Sequence, residues 1–193
     1  MQEQALRYLI VPGWKGSPAE HWQSHWQKRL PFSDRVEQAD WDKPQLDAWV
    51  KAFEAALLRS SQPTIVVAHS LGCITLAHWA RQASAALLAR VRGALLVAPA
   101  DVERPNANPY LQGFAPIPTQ LLPFPSHVVA SDNDPAATLL RSQQFAQQWG
   151  AELTVLEQAG HINVTSGHQY WEAGFAYLYR LQQQSDFWLK RRA

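Results

Sequence analysis

Short apolar runs alternate along this chain with longer stretches in which apolar residues return every three or four positions. The short runs are rich in β-branched residues, which is typical of strands that are buried on both faces of a sheet. They predict strands at residues 6–11, 35–39, 93–98, 126–131 and 152–156, and one that begins at Thr64. The periodic stretches predict helices at residues 17–30, 138–149 and 168–183, one from Pro44 and one directly after Ser70.

This alternation of strands and helices predicts an α/β fold. Strands that alternate with helices form a parallel sheet through right-handed crossovers, with helices on both faces. In such sheets the reactive groups lie beyond the carboxyl ends of the strands. The residues that directly follow each strand are therefore the ones to search for chemistry.

Two further segments carry local signals. The helix at residues 17–30 begins with the signature of a capping box, in which Ser17 is the N-cap, Pro18 stands at N1 and Glu20 stands at N3. Residues 99–125 contain seven of the thirteen prolines and no sustained period. Because this segment also carries large apolar residues such as Leu111 and Phe114, we predict an ordered lid or rim rather than a disordered linker.

The overall composition narrows the possible functions. A chain of 193 residues most simply forms one domain, spanning residues 1–193. A net charge of +1 with 17% charged residues argues against a surface for nucleic acid or for an anionic membrane. Cys73 is the single cysteine, so the chain can form neither an intramolecular disulfide nor a thiolate metal cluster.

The N-terminal residues carry no targeting signal. Residues 1–5 lack a basic region followed by a long apolar core, and no apolar run approaches the length of a membrane span. We therefore expect a soluble cytoplasmic protein that does not bind a membrane.

The strand that begins at Thr64 leads into a serine between small residues. Ala68-His69-Ser70-Leu71-Gly72 matches the nucleophile elbow of serine hydrolases, with Ala68 in place of the first glycine. A strand that turns sharply into a helix strains the backbone at its apex. We expect positions 68 and 72 to be small because they nearly touch each other. By itself this motif is weak, since an ordinary turn also fits it.

The other strand ends supply the partners that a nucleophilic serine needs. The chain order is Ser70, then Asp132 or Asp134, then His161, which is the order found in α/β-hydrolases. Asp134 and Asp132 could each orient His161, and we favour Asp134 because a turn before it lets the carboxylate point back. Asp101, which follows the fourth strand, is a third candidate.

Two backbone amides are the candidates for an oxyanion hole. The amide of Leu71 directly follows the nucleophile at the start of a helix, where negative charge is stabilised. The second amide is that of Trp14, in the loop after the first strand. Gly13 and Gly16 flank it and let the backbone approach a ligand closely.

These motifs resemble the small single-domain α/β-hydrolases related to retinoblastoma-binding protein 9, a serine hydrolase family with many bacterial members. The matching elements include Val11-Pro12-Gly13-Trp14, His21-Trp22-Gln23, Ala68 to Cys73, Asn133-Asp134-Pro135 and Gly160-His161-Ile162-Asn163. The resemblance implies the triad Ser70, Asp134 and His161. We also expect an α/β-hydrolase fold, with six mainly parallel strands in the order 2-1-3-4-5-6.

The expected function is hydrolysis of a small ester, thioester or amide through an acyl-enzyme, with a small-molecule acyl substrate and no metal or organic cofactor. The alternative is a binding protein that keeps the fold without its chemistry. His21 and His25 have metal-ligand spacing, but the glutamate of a zinc-protease helix is replaced by Trp22. We expect both histidines to be structural, and His69 to pack or to form a hydrogen bond.

Overall fold

The computed structural model describes residues 5–190. The expectation that residues 1–5 carry no targeting signal therefore lies largely outside the described part of the chain. Within it, six strands form one sheet. They are β1 (Arg7–Val11), β2 (Ser33–Arg35), β3 (Thr64–His69), β4 (Val91–Val97), β5 (Ser126–Ser131) and β6 (Glu152–Leu156). All neighbouring strands are parallel, and their order is β2-β1-β3-β4-β5-β6. The predicted fold class and strand order are confirmed.

Helices connect the strands and cover the sheet. They are α1 (Trp22–Arg29), α2 (Leu46–Leu58), α3 (Leu71–Gln82), the short α4 (Ala85–Leu88), α5 (Leu139–Trp149) and α6 (Phe175–Lys190). No helix in residues 5–190 combines the length and the apolar character that a membrane crossing requires.

The sheet separates two buried apolar clusters. Side chains along a strand point alternately to opposite faces, so Leu9 and Val66 belong to one cluster, whereas Ile10 and Ile65 belong to the other. Helices α2, α3 and α5 pack in the first cluster, and α1 and α6 pack in the second. Both faces of the central strands β3, β4 and β5 are buried, which explains why each contains a continuous run of apolar residues.

Helix α1 begins later than the sequence indicates. It starts at Trp22, and His21 is its N-cap, with Nδ1 accepting from the Gln23 amide at 3.2 Å. The predicted capping box is wrong because Ser17 has another partner: its hydroxyl donates to the buried side chain of Gln23 at 2.6 Å. Residues 18–20 form a turn before the helix.

Other predicted boundaries also shift. Helix α6 begins at Phe175 rather than residue 168 and extends to Lys190, and a 3-10 turn (Glu172–Gly174) precedes it. Trp171 has a φ of 43°, so the chain leaves helical geometry there. Strand β2 lies at Ser33–Arg35 instead of 35–39.

Residues 99–125 contain one 3-10 helix, Pro109–Phe114, and otherwise turns and irregular backbone. Leu111, Phe114, Ile117 and Phe124 are buried in the cluster shared with α2, α3 and α5. This segment is therefore packed onto the body of the molecule.

Candidate active site

Ser70 stands at a strained turn between β3 and α3. Its φ of 55° and ψ of −122° lie in a region that residues other than glycine rarely adopt. The Ser70 amide donates to the carbonyl oxygen of Val97 at 3.0 Å, which ties the turn to the end of β4. The strain is therefore held by the adjacent strand, and the hydroxyl is presented at the carboxyl edge of the sheet.

Gly72 is small for a reason different from the one we expected. A methyl group at this position would lie 2.5 Å from the oxygen of Val11 and 2.7 Å from that of Pro12. The close neighbour is thus the end of β1, and Ala68 does not contribute any of the three nearest atoms. The start of α3 can dock against β1 only without a side chain here.

Three predicted side chains meet at this edge. The hydroxyl of Ser70 lies 2.9 Å from Nε2 of His161, and Nδ1 of His161 lies 2.9 Å from both carboxylate oxygens of Asp134. A carboxylate can only accept, so Nδ1 carries the proton and Nε2 is left to accept from the hydroxyl. The Asp134 side chain is only 2% exposed, which shields its bond to His161 from water.

The two alternative acids have other partners. Asp132 accepts from the backbone amide of Gln158 at 2.8 Å. Asp101 lies 3.4 Å from Nε of Arg141 and accepts from the amide of Glu103. Neither carboxylate forms a hydrogen bond to His161 among the described residues.

Asp132 belongs to a set of contacts that fixes the loop before His161. Three consecutive residues at the end of β5 accept from three consecutive backbone amides: Ser131 from Ala159 at 3.0 Å, Asp132 from Gln158 at 2.8 Å, and Asn133 from Gly160 at 2.7 Å. The turn that carries Asp134 and the loop that carries His161 are therefore bound to each other. Sequence reasoning identified the two loops but not these contacts.

Two aromatic donors hold the far side of the same loop. Nε2 of His69 donates to the carbonyl oxygen of His161 at 2.9 Å, and the indole of Trp22 donates to that of Ile162 at 2.8 Å. This supports the expectation that His69 packs and forms a hydrogen bond. Hydrogen bonds on both sides of this loop thus restrain the imidazole that faces Ser70.

The histidines behind the site are neutral. Burial lowers the pKa of His69 well below its usual value, and nearby His161 acts in the same direction. Burial also lowers the pKa of His21 to about 3, with a further contribution from Arg35. Neutral rings can pack edge to face 5.0 Å apart without repulsion, as these two do.

The metal-ligand spacing of His21 and His25 has no metal site around it. Nδ1 of His21 serves the helix cap, and the ring of His25 lies 4.3 Å from that of Tyr170. Among residues 5–190, no group of three or more histidine, cysteine or acidic side chains is arranged to hold a metal ion.

Gln23 ties α1 to the two strands that lead into the site. It is fully buried, and its amide group donates to Val11 at 3.1 Å and to Val67 at 3.0 Å. Its oxygen accepts from Ser17. Both of its donors and its oxygen are thus engaged next to the strand ends that carry Ser70, which gives a physical reason for the glutamine of the His-Trp-Gln motif.

The backbone around Trp14 lies close to Ser70. A methyl group on Gly13 would lie 2.7 Å from Cβ and 3.2 Å from Oγ of Ser70, so only glycine allows this approach. The amides of Trp14 and Leu71 donate to no other group of the described residues. The structure thus leaves both predicted oxyanion donors available.

Two cavities adjoin the serine and the histidine. The larger, of about 460 Å³, extends toward residues 99–125 and includes Leu111 and Arg104 in its wall. The smaller, of about 180 Å³, extends toward His21 and His69. Trp14 lines both, and its indole is held by the carbonyl oxygen of Asp42 at 2.9 Å.

A six-stranded parallel sheet in this order, with a strained serine after β3 and histidine and aspartate loops after later strands, defines an α/β-hydrolase. The family described as Serine hydrolase matches residues 8–180, and the chain belongs to that family. The resemblance to the relatives of retinoblastoma-binding protein 9 is compatible with this membership and stays a prediction.

Solved structures agree with this membership. The chain is similar to a YdeN-like hydrolase from Pectobacterium atrosepticum, with 35% identity over 93% of this chain and 92% of that one, at a TM-score of 0.81. It shares its fold with the ydeN gene product of B. subtilis, with 21% identity over 93% and 100% of the two chains, at a TM-score of 0.74.

A third structure with this fold is the type II thioesterase BorB from the borrelidin biosynthetic cluster. It has 16% identity over 92% of both chains, at a TM-score of 0.63. No curated protein matches the sequence.

Proposed function

We propose that this protein hydrolyses a small ester, thioester or amide through an acyl-enzyme on Ser70. The observation that carries the proposal is the unbroken chain of hydrogen bonds from Ser70 through His161 to Asp134. A serine hydroxyl is a weak nucleophile at neutral pH and needs a base within hydrogen-bond reach. Membership in the serine hydrolase family supports the same chemistry.

Acylation begins when Oγ of Ser70 attacks the carbonyl carbon and its proton passes to Nε2 of His161. Asp134 stabilises the imidazolium that results. The amides of Trp14 and Leu71 donate to the oxyanion of the tetrahedral intermediate. As the bond to the leaving group breaks, His161 returns the proton to that group. Water then repeats the sequence at the acyl-enzyme, releasing the acid and restoring Ser70.

The cavities support a small substrate. A volume of about 460 Å³ lies within the range of roughly 300–1,000 Å³ that is usual for small-molecule sites. We infer that residues 99–125 form the rim of this cavity, since Leu111 contributes to its wall. The fold shared with a thioesterase keeps thioesters among the candidate substrates.

The test is a panel of short-chain ester, thioester and amide substrates with matched variants of the triad. Ser70→Ala is expected to lose about 1,000-fold or more in kcat. Asp134→Asn should lose about 100- to 10,000-fold because the imidazole adopts the wrong tautomer. Asp132→Asn is the matched control and should lose less than about 10-fold, since that carboxylate holds the loop rather than the ring.

Two results would contradict this proposal. If Ser70→Ala kept the activity of the unmodified protein on every substrate turned over, Ser70 would not be the nucleophile. A large loss in Asp132→Asn with none in Asp134→Asn would transfer the role of triad acid to Asp132.

A further inference from the structure

Among residues 5–190, Arg104 is the one formally charged side chain at neutral pH in the wall of the larger cavity. The other lining residues are apolar or neutral polar, apart from the histidine of the triad. An arginine guanidinium is not deprotonated in proteins, so its charge is fixed. The cavity that adjoins Ser70 therefore has a fixed positive charge in its wall.

No carboxylate in the described part of the chain forms an ion pair with this guanidinium. The nearby acids are already engaged. Asp101 pairs with Arg141, and Glu103 pairs with Arg141 and accepts from the amide of Ile117 at 2.8 Å. Asp134 is held by His161.

Only one nitrogen of the guanidinium has partners. Nη1 donates to the carbonyl oxygens of Asp101 and Ala136, both at 2.9 Å. Nε is buried without a hydrogen-bond partner in the described residues, and Nη2 has none either. The two carbonyl contacts fix the plane of the group, and because Nε is buried, Nη2 is the nitrogen left to donate to a ligand. A hydrogen bond from a guanidinium to a carboxylate is charge-assisted and stronger than one between neutral groups.

We propose that Arg104 recognises a carboxylate on the substrate, so that the preferred substrates of this site are anionic esters, thioesters or amides. This inference rests on the proposed function and narrows its substrate class. An unpaired cation in a partly apolar wall is poorly solvated, and a ligand anion supplies the missing partner. Because Arg104 and Ser70 line the same cavity, the carboxylate and the scissile carbonyl of one small substrate would both lie in it.

The competing explanation is purely structural. By joining the carbonyl oxygens of Asp101 and Ala136, Arg104 links the segment after β4 to the turn before α5. A structural role alone would affect neutral and anionic substrates equally, so the ratio of their kcat/KM values separates the two roles.

The experiment uses two matched substrate pairs with the full-length protein. In the first, p-nitrophenyl hydrogen glutarate is compared with p-nitrophenyl pentanoate, which places the charge on the acyl part. In the second, 4-carboxyphenyl acetate is compared with its methyl ester, which places the charge on the leaving group. We expect kcat/KM to favour the anionic member of at least one pair by about 10- to 100-fold, as suits a charge-assisted hydrogen-bonded contact.

Variants assign that preference to Arg104. Arg104→Gln should abolish the preference, while Arg104→Lys should keep part of it because the charge remains. Lys15→Gln is the matched control: this lysine lies over the ring of Trp14, 4.7 Å from its centroid, but does not line the cavity. It should leave the ratio unchanged. Added salt should reduce the preference of the unmodified protein.

If the ratio of kcat/KM between anionic and neutral substrates were near one for both pairs in the unmodified protein, the proposed role of Arg104 would be overturned. The hydrolase proposal would stay intact. Loss of the preference in Lys15→Gln but not in Arg104→Gln would also overturn the proposed role of Arg104. If no member of either pair were hydrolysed and Ser70 did not react with a fluorophosphonate, the proposed function itself would fail.

Discussion

Gly72 controls how closely α3 approaches the end of β1, and through that contact it controls the position of Ser70. Gly72→Ala would place a methyl group 2.5 Å from the oxygen of Val11, which is backbone and cannot rotate away. We expect a loss of about 1–3 kcal/mol in the free energy of unfolding and a large fall in activity. Urea unfolding and ester hydrolysis measure the two effects.

Gly113→Ala is the control for that substitution. Nothing lies within 4 Å of a methyl group placed there. We expect the free energy of unfolding to change by no more than about 0.5 kcal/mol and the activity to stay normal. Equal stability and activity in the two variants would show that the contact with β1 does not constrain the turn.

At the level of single residues, the sequence predicts those candidate site residues that lie just beyond the ends of strands. Ser70, Asp134 and His161 can be found in this way because parallel strands bring their carboxyl ends to one edge. The choice of Asp134 over Asp132 depends on turn geometry and on resemblance. Side-chain hydrogen bonds to distant backbone groups, such as those of Gln23 and Asn133, correspond to no recognisable spacing in the sequence and could not be predicted from it.

At the level of elements, the strands are the most predictable part of the fold. β3, β5 and β6 lie where the apolar runs indicate, and α5 ends at Gly150, whose φ of 64° suits glycine. β3 and β5 are buried on both faces, and a continuous run of apolar residues suits such surroundings better than an alternating pattern does.

Helix ends are less predictable because tertiary partners compete for the capping groups. Ser17 has the local signature of an N-cap, yet its hydroxyl bonds to the side chain of Gln23. Trp171 continues an apolar period but packs against Trp22, with ring centroids 5.0 Å apart, and the helix begins after it. In both cases a long-range contact outweighs the local pattern.

The whole molecule should lose stability as the pH falls below neutral. His21 and His69 are neutral in the folded state because burial lowers the pKa of each, in His21 to about 3. In the unfolded chain they bind protons near pH 6.5. The unfolded state therefore gains protons first, and the stabilisation present above pH 6.5 is lost as the pH falls toward the folded pKa.

His21 should lower the free energy of unfolding by about 2 kcal/mol between pH 7 and pH 5, and His69 should change it in the same direction. Urea unfolding at the two pH values measures the combined loss in the free energy of unfolding. His21→Asn keeps an N-cap acceptor for the Gln23 amide but does not titrate, so it should reduce the pH-dependent loss of stability by about 2 kcal/mol. Identical pH dependence in this variant and in the unmodified protein would show that His21 is not the source.

The central claim is that the folded molecule makes Ser70 a nucleophile. Labelling with a fluorophosphonate, followed by intact-mass and peptide mass spectrometry, tests this claim without knowledge of the substrate. We predict one adduct per chain, located on Ser70, and its loss in Ser70→Ala and in urea-unfolded protein. A folded protein that stays unlabelled, or that is labelled at another residue, would contradict the account and favour a binding protein with this fold.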